Sequence, residues 1–449
     1  MQLFKNDTPN QKAWYFYDWA NSAYVTTTTT VLFGPYLTSV AQRAAGCDPS
    51  ADVCENNLDV LGLSIAPGSL YFYLVTFTTL LSAFLLPVLG AYADQRPNKQ
   101  KLLGRLAWIG AVAASLMFFV SGTNWQLGVV LLIVGNLALG ASLVVYDAIM
   151  IEIASPDERN RVSSKGWAFG YVGGGTLLIV NLGLTLAAPA EYTELAVRVS
   201  LLSAGLWWGL FTLIPYFKIK SITETTYTEQ SFNALKAGSF KQLYRTLKEL
   251  SKYPQTRMFL IAYLFFNDGV QTVIASASVY GAEELRLTQT DLVGAIVVVQ
   301  IVAFVGAISS GRVAARIGGF KTVFGSLFIW AGVIFAGFFL PAESPLFFFL
   351  LAALIGFVLG GTQALSRSLF SQLVPDRREA EYFALYQAME RGTSWLGTLT
   401  FGLAFQFSGS YRPGLLALLA FFLIGGFLLT KVNMREGIDA AGNKQPQII

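Results

Sequence analysis

The chain has no histidine, two cysteines and little charge: Asp, Glu, Lys and Arg make up 13% of its 449 residues. The missing histidine removes His-based catalytic triads, His metal sites and imidazole proton relays together. Cys47 and Cys54 lack the spacing and company of a zinc or redox motif, so no metal or cofactor is expected. A net charge of +4, small and scattered, argues against nucleic acid as a partner. No P-loop, Gly-x-Ser-x-Gly or His-Glu-x-x-His pattern occurs, so no ATPase or common hydrolase signature is present and no enzymatic activity is expected. Soluble globular proteins carry about 25% charged residues. This chain cannot cover a water-facing surface with half that complement.

Apolar residues are plentiful instead, at 54% with a mean hydropathy of +0.53. A helix that crosses a bilayer needs about 20 mostly apolar residues. Twelve stretches qualify, at about 12–41, 69–94, 101–122, 126–153, 163–187, 196–217, 257–281, 291–315, 321–340, 344–370, 380–407 and 412–432. The polar start, residues 1–12, has no apolar signal-peptide core, so no cleaved leader is expected. An even count puts both termini on one side. With that side in the cytoplasm, only Arg43, Arg198, Arg286 and Arg412 of the 31 basic residues fall in outer loops, as the positive-inside rule requires. The expectation is a multi-pass, monomeric protein of the cytoplasmic membrane, or of the vacuolar membrane in a eukaryote. Cys47 and Cys54 then share the longest outer loop, where an oxidising compartment can join them.

The spans divide six and six around a long cytoplasmic connection. Ala154-Ser155-Pro156-Asp157-Glu158-Arg159 after span 4 is echoed by Leu373-Val374-Pro375-Asp376-Arg377-Arg378 after span 10, an offset of 219 residues. Gly90 at the end of span 2 matches Gly311 at the end of span 8, an offset of 221. Two matches at nearly one offset predict duplicated six-helix bundles that enclose a central cavity. The units expected are a bundle over 1–217, a linker over 218–256, a second bundle over 257–435 and a polar tail over 436–449. Within the linker, Phe232, Leu235, Phe240, Leu243, Leu247 and Leu250 recur at helical spacing opposite Lys241, Arg245, Lys248 and Lys252. That pattern predicts an amphipathic helix on the cytoplasmic lipid surface.

The loop after span 2 reads Gly90-Ala91-Tyr92-Ala93-Asp94-Gln95-Arg96-Pro97-Asn98-Lys99-Gln100-Lys101. It resembles the signature loop of the major facilitator superfamily of secondary transporters. The resemblance implies a conformational latch of Gly90, Asp94, Arg96, Lys99 and Arg159. Asp94 would meet the positive N-terminal end of span 11 or a cation such as Arg159. Asn98 stands where the family pattern has glycine, and Ala315 replaces the acid in the second-half copy. The latch is therefore expected to be asymmetric. A closer resemblance lies in Trp14-Tyr15-Phe16-Tyr17-Asp18-Trp19-Ala20-Asn21-Ser22-Ala23-Tyr24, in Arg161-Val162-Ser163-Ser164-Lys165-Gly166-Trp167-Ala168-Phe169-Gly170-Tyr171, in Asn267-Asp268-Gly269-Val270 and in Gly360-Gly361-Thr362-Gln363-Ala364-Leu365-Ser366-Arg367-Ser368. These segments are similar to the autophagy-related vacuole-effluxer-like branch of that superfamily, along nearly the whole chain. The resemblance implies a twelve-helix, all-α membrane fold and transport; fungal members are associated with amino-acid release from the vacuole.

The residues themselves point to the same region. A charge at the centre of a spanning helix costs about 2.5–3.5 kcal/mol on insertion scales, so Asp18, Asp147, Asp268, Arg367, Glu390 and Arg391 each need a reason to be there. Spans 1, 4, 7 and 10 line the cavity of a six-plus-six transporter, and they carry Asp18, Asp147, Asp268 and Arg367. Glu390 and Arg391 project about 100° apart, so at least one is expected to reach another span. Asn21, Tyr24, Tyr146, Asn267, Gln271 and Gln363 gather nearby. Acids, one fixed cation and amides suit a small zwitterion or an organic acid, with a proton as the coupling ion on Asp18, Asp147 or Asp268. A plainer reading is one Asp–Arg pair that holds helices together.

Other patterns have plain explanations. Thr26–Thr30 can bond to backbone one turn back, Gly166, Gly170 and Gly174 form a small-residue packing face, and the triplet Gly173-Gly174-Gly175 lies in an apolar span and is not a phosphate loop. The function expected is alternating-access transport of a small polar solute, foremost an amino acid, in efflux. Export of amphipathic or toxic compounds, or a non-transporting receptor or scaffold that works through the linker, are the alternatives.

Overall fold

Apolar runs of this length satisfy their backbone in lipid only as helices or as a closed barrel, and the computed structural model is helical. It describes residues 4–47, 56–60, 62–220, 239–392, 394–408 and 410–449. The chain begins with α1 (Pro9–Ala23), continues through a π-helical stretch Tyr24–Leu32 and runs on as α2 (Phe33–Ala44). There follow α3 (Pro67–Asp94), α4 (Lys99–Leu116), α5 (Trp125–Ile153), α6 (Arg159–Ala187) and α7 (Thr193–Lys218). The linker contributes α8 (Ser239–Leu250). The second half holds α9 (Pro254–Val279), α10 (Gln289–Ile317), α11 (Gly319–Phe338), α12 (Pro345–Gln372), α13 (Glu379–Gly392), α14 (Ser394–Ser408) and α15 (Arg412–Thr430), then the tail helix α16 (Met434–Ala440).

Ten helices among the described residues are long and apolar enough to cross a membrane: α3–α7, α9–α12 and α15. The first and eleventh expected spans are not among these ten. Span 1 carries Lys12, Asp18, Asn21 and a run of five threonines; span 11 carries Glu381, Glu390 and Arg391 and is described as α13 and α14, on either side of residue 393. Both still run among the other helices, α1 against α6 and α7, α13 against α3 and α5. With them the chain makes twelve passes. One feature of the loop between α2 and α3 has no counterpart in the hydropathy reading: Leu58–Val60 pairs antiparallel with Leu63–Ile65.

The two halves repeat one packing scheme. Within the first, α4 packs on α5 and α7, α3 on α5, and α1 on α6 and α7; within the second, α11 packs on α12 and α15, α10 on α12, and α9 on α13, α14 and α15. The seam between halves is formed by α6 with α10 and α12, and by α3 and α5 with α13. Small residues allow the close approaches. A Cβ on Gly311 would stand 2.8 Å from Ser164, and one on Gly319 would stand 2.8 Å from Asn160. The outer faces are apolar where lipid would lie, with Phe217 70% and Phe407 84% exposed.

The expected small-residue face of span 5 packs on span 1: a Cβ on Gly166, Gly170 or Gly174 would come within 2.9 Å of Asp18, Ser22 or Thr26. Of the threonine run, Thr26, Thr29 and Thr30 bond to carbonyls one turn back. The hydroxyls of Thr27 and Thr28 are buried without a partner among the described residues, so three of the five, most of the run, bond back.

The linker helix differs from its expected placement. Phe232 and Leu235 lie outside the described residues. Thr246 and Leu250 of α8 are buried by protein, Thr246 donates to the Glu381 carboxylate, and Glu249 pairs with Arg378. The helix packs on α3 and α9, while Tyr244 and Leu247 on its other edge are exposed. Its ion pair and hydrogen bond tie it to the start of α13, so lipid is not its only neighbour.

Candidate functional site

Both termini and the ends of α3, α5 and α12 mark one end of the bundle, which is closed. From mid-bundle a cavity of about 1310 Å3 runs to the opposite end. Its upper wall is apolar and aromatic, with Tyr71, Phe72, Tyr280, Phe348 and Leu351; its floor holds Asp18, Asn21, Asp147, Trp167, Tyr171, Gln271, Gln300, Gln363, Arg367, Gln387 and Glu390.

Arg367 organises the floor. It stands on α12 in the second half, yet its guanidinium reaches across the seam into the first. Nη1 lies 3.3 Å from Asp147 Oδ1, and Nη2 lies 3.4 Å from Asp18 Oδ2. Nε donates to Ser163 Oγ at 2.9 Å and Nη2 to the Ser163 carbonyl at 3.1 Å. Aromatic rings enclose the cation: its central carbon is 5.0 Å from the Trp14 centroid, 5.4 Å from Tyr146 and 5.5 Å from Trp167. A buried charge of this kind persists only when paired and hydrogen-bonded.

Each acid has further support. Tyr146 donates its hydroxyl to Asp18 Oδ2 at 2.7 Å and stacks on Trp14, and Gln387 donates to Asp147 Oδ2 at 2.9 Å and to Glu390 Oε2 at 3.3 Å. With both ionised, Asp18 and Asp147 share one guanidinium, an excess of one negative charge among these three side chains. A proton or an ammonium group relieves that excess.

Four polar atoms on the lining residues have no partner among the described residues: Trp167 Nε1, Tyr171 Oη, Gln300 Oε1 and Gln363 Oε1. Trp167 and Tyr171 sit one turn apart on α6 and supply donors. Gln300 on α10 and Gln363 on α12, in the second half, supply acceptors. Buried polar groups left unpaired cost about 1–3 kcal/mol each, and a bound dipolar solute would pair them.

The other expected residues distribute as follows. Asn21 lines the cavity and donates to its own helix at Tyr17 O. Tyr146 and Asn267 stand behind the floor, Asn267 accepting from Gln363 and donating to the Glu390 carbonyl. Tyr24 does not line the cavity: its hydroxyl donates to Asn136 and its ring stacks on Trp208 inside the first bundle. Asp268 is a correction of the same kind. It is buried away from the cavity and accepts from the Gly397 N–H at 2.9 Å. The side chain of Arg391 lies outside the described residues.

Residues that the sequence reading left out of the site are Ser163, Trp14, Trp167, Tyr171, Gln300 and Gln387. Trp14, Ser163, Trp167 and Tyr171 lie within the quoted family-like segments, which was the one available signal. An uncharged polar residue in a span carries no insertion cost large enough to single it out.

At the closed end, Asp94 meets the N-terminus of α13: Oδ1 accepts from the Ala380 N–H and Oδ2 from the Glu381 N–H, both at 2.9 Å. Unpaired amides in the first turn of a helix attract an anion. Lys99 Nζ sits among three acids, 2.8 Å from Glu152, 3.3 Å from Glu379 and 3.6 Å from Asp94. Gly90 allows the approach, since a Cβ there would stand 2.8 Å from the Glu381 Cα. Arg159 is not the partner of Asp94. It donates to Ser371 O at 2.9 Å, in the last turn of α12, where carbonyls are unpaired. Arg96 is exposed and pairs with Tyr92 on its own helix, so it does not join the contact across the seam. In the far loop Cys47 is disulfide-bonded, and Cys54 lies outside the described residues.

Comparison with known proteins is consistent along the chain. A family model described as "Vacuole effluxer Atg22 like" matches residues 6–160 and 152–442. An uncharacterized MFS-type transporter, YxiO of Bacillus subtilis, is 30% identical over 98% of each chain. Autophagy-related protein 22-1 of Phaeosphaeria nodorum is 25% identical over 86% of this chain and 79% of its own. Among solved structures, the proton:xylose symporter XylE superposes with a TM-score of 0.70 at 14% identity, covering 94% of this chain and 95% of that one. A bacterial homologue of the iron transporter ferroportin in an outward-facing state gives 0.64 at 15% identity, over 95% and 99%. At such identities the structural likeness speaks for the fold alone.

Proposed function

The chain belongs to the Atg22-like vacuole-effluxer branch of the major facilitator superfamily, and on that premise we propose that this secondary transporter carries a small zwitterion, foremost an amino acid, coupled to protons. The observation that carries the reading is the cavity floor: one arginine bridging the halves, two carboxylates paired with it, and, among the described residues, unpaired donors from the first half and unpaired acceptors from the second. A solute carboxylate fits Trp167 and Tyr171, and a solute ammonium fits Gln300, Gln363 and Glu390. Asp18 or Asp147 takes the proton, since protonating either weakens the hold on Arg367. Alternating access follows from the same contacts. The Arg367 bridge and the Asp94 latch hold the termini end shut while the far end is open, and both must part for the reverse state.

With both termini in the cytoplasm, as the Lys and Arg distribution favours, this is an outward-open state of a monomer in the cytoplasmic membrane. Efflux, the direction suggested by the family's description, makes this the state that releases solute. Export of amphipathic compounds is the second reading, favoured by the aromatic upper wall of Tyr71, Phe72 and Phe348.

The test is counterflow in proteoliposomes against amino acids, sugars, organic acids and lipophilic cations, with and without a pH gradient. The reading expects amino-acid exchange and gradient-driven net flux. Preference for lipophilic cations would favour the exporter, and no counterflow of any solute would favour a scaffold. Flux indifferent to pH on both sides would remove the proton.

A further inference from the structure

At the closed end of the bundle, outside the transport cavity, lies a second pocket of about 520 Å3. Lys321, Lys431 and Arg435 line it, with tail residues 447–449 as one wall. Lys321 stands in the first turn of α11, and Lys431 follows the last residue of α15. These two helices pack side by side, so the lysines flank one groove at the level where the spans end. None of the three cations has an ion-pair partner among the described residues; the Lys431 ammonium only rests 5.1 Å from the Phe427 centroid. No acidic side chain lines the pocket. The backbone oxygen of Ile449 lies against Gly318, and the charged side chains of the lining sum to +3.

An exposed apolar row runs from each lysine toward the middle of the span. On α11 it consists of Phe328 and Phe335, 65% and 57% exposed, and on α15 of Phe427 and Leu423, 61% and 59% exposed. The spacing, two turns at a time on α11 and about one on α15, keeps each row on the lysine's face. Cations at the mouth with apolar rows behind them complement an amphiphile that has an anionic head. A free anion would use only the cations.

We propose that this pocket binds the head group of an anionic phospholipid, whose acyl chains lie along the exposed rows of α11 and α15. Basic pockets between spanning helices on the cytoplasmic side take such head groups. Each cation near an anionic head strengthens binding by about fivefold, so removing two lysine charges should weaken it by tenfold or more.

Native mass spectrometry of the full chain in detergent tests this, with phosphatidylglycerol and phosphatidylcholine of matched acyl chains as probes. Wild type is expected to retain phosphatidylglycerol preferentially, and millimolar inorganic phosphate should not displace it. The Lys321→Gln/Lys431→Gln variant should lose the preference by about tenfold or more, Lys321→Arg/Lys431→Arg should keep it, and Arg245→Gln/Lys248→Gln on α8 should leave it unchanged. Equal retention of the two lipids, no loss in the glutamine variant, loss in the arginine variant, or displacement by phosphate alone would each overturn the proposal. Bound lipid is counted without any solute, so failure here is distinct from failure of the transport reading.

Discussion

Replacing Asp94 with asparagine keeps the size of the side chain and removes its charge from the start of α13. The carboxylate accepts two backbone N–H groups at 2.9 Å, one on each oxygen. Asparagine can accept with its one oxygen and turns an NH2 toward the other donor. Hydrogen bonds to a charged group are worth about 1.5–3 kcal/mol, against about 0.5–1.5 for neutral ones. An anion at a helix N-terminus adds about 0.3–1 kcal/mol. The variant should therefore lose roughly 2–3 kcal/mol of the contact that exists only while the termini end is closed, which moves the two-state equilibrium by about 30–150-fold.

Ser164→Cys provides the reporter. Ser164 is buried at the seam against Gly311, and its hydroxyl has no partner among the described residues to lose. The labelling rate by a maleimide applied at the termini face should rise by about that factor when Asp94→Asn is added. A rate within about twofold of the parent, in protein that still labels normally from the far end, would refute the latch.

Arg367→Gln should lower stability by about 3–5 kcal/mol, because Asp18 and Asp147 are left buried without their cation. Adding Asp147→Asn should recover part of the melting temperature in detergent while counterflow stays absent. Tyr171→Phe should leave the melting temperature unchanged, since its hydroxyl has no partner among the described residues. It should raise KM for counterflow by about tenfold, the value of one hydrogen bond to a charged solute group. Gly166→Ala places a Cβ 2.7 Å from both Asp18 Oδ2 and the Trp14 ring, and should cost about 1–3 kcal/mol by overpacking. Gly183→Ala, where nothing lies within 4 Å, should be neutral in the same melting assay.

Much of the site was legible because charge inside a membrane is expensive. Asp18, Asp147, Arg367 and Glu390 stood out for that reason, and the structure gathers them on one cavity floor. The same reasoning misread Asp268, because cost alone does not say what repays it. Asp268 turns to α14 instead, where it accepts from the Gly397 N–H. Tyr24 went astray similarly: its position in a motif-bearing span did not say which face of α1 it would take. The latch loop identified Asp94 and its helix partner, but Arg159, a plausible cation by sequence, went to the carbonyl end of α12 instead.

Composition and hydropathy alone determined a lipid-embedded helical bundle, its count of passes and the residues that could not face acyl chains. These follow from transfer free energies, which act residue by residue and need no knowledge of neighbours. Only the tertiary structure decided that Arg367 bonds to Ser163, that Gln387 supports Asp147, and that Trp167 Nε1, Tyr171 Oη, Gln300 Oε1 and Gln363 Oε1 lack a partner among the described residues. Such contacts depend on how closely glycine-lined helices from opposite halves approach, a matter of ångströms between segments far apart in the chain.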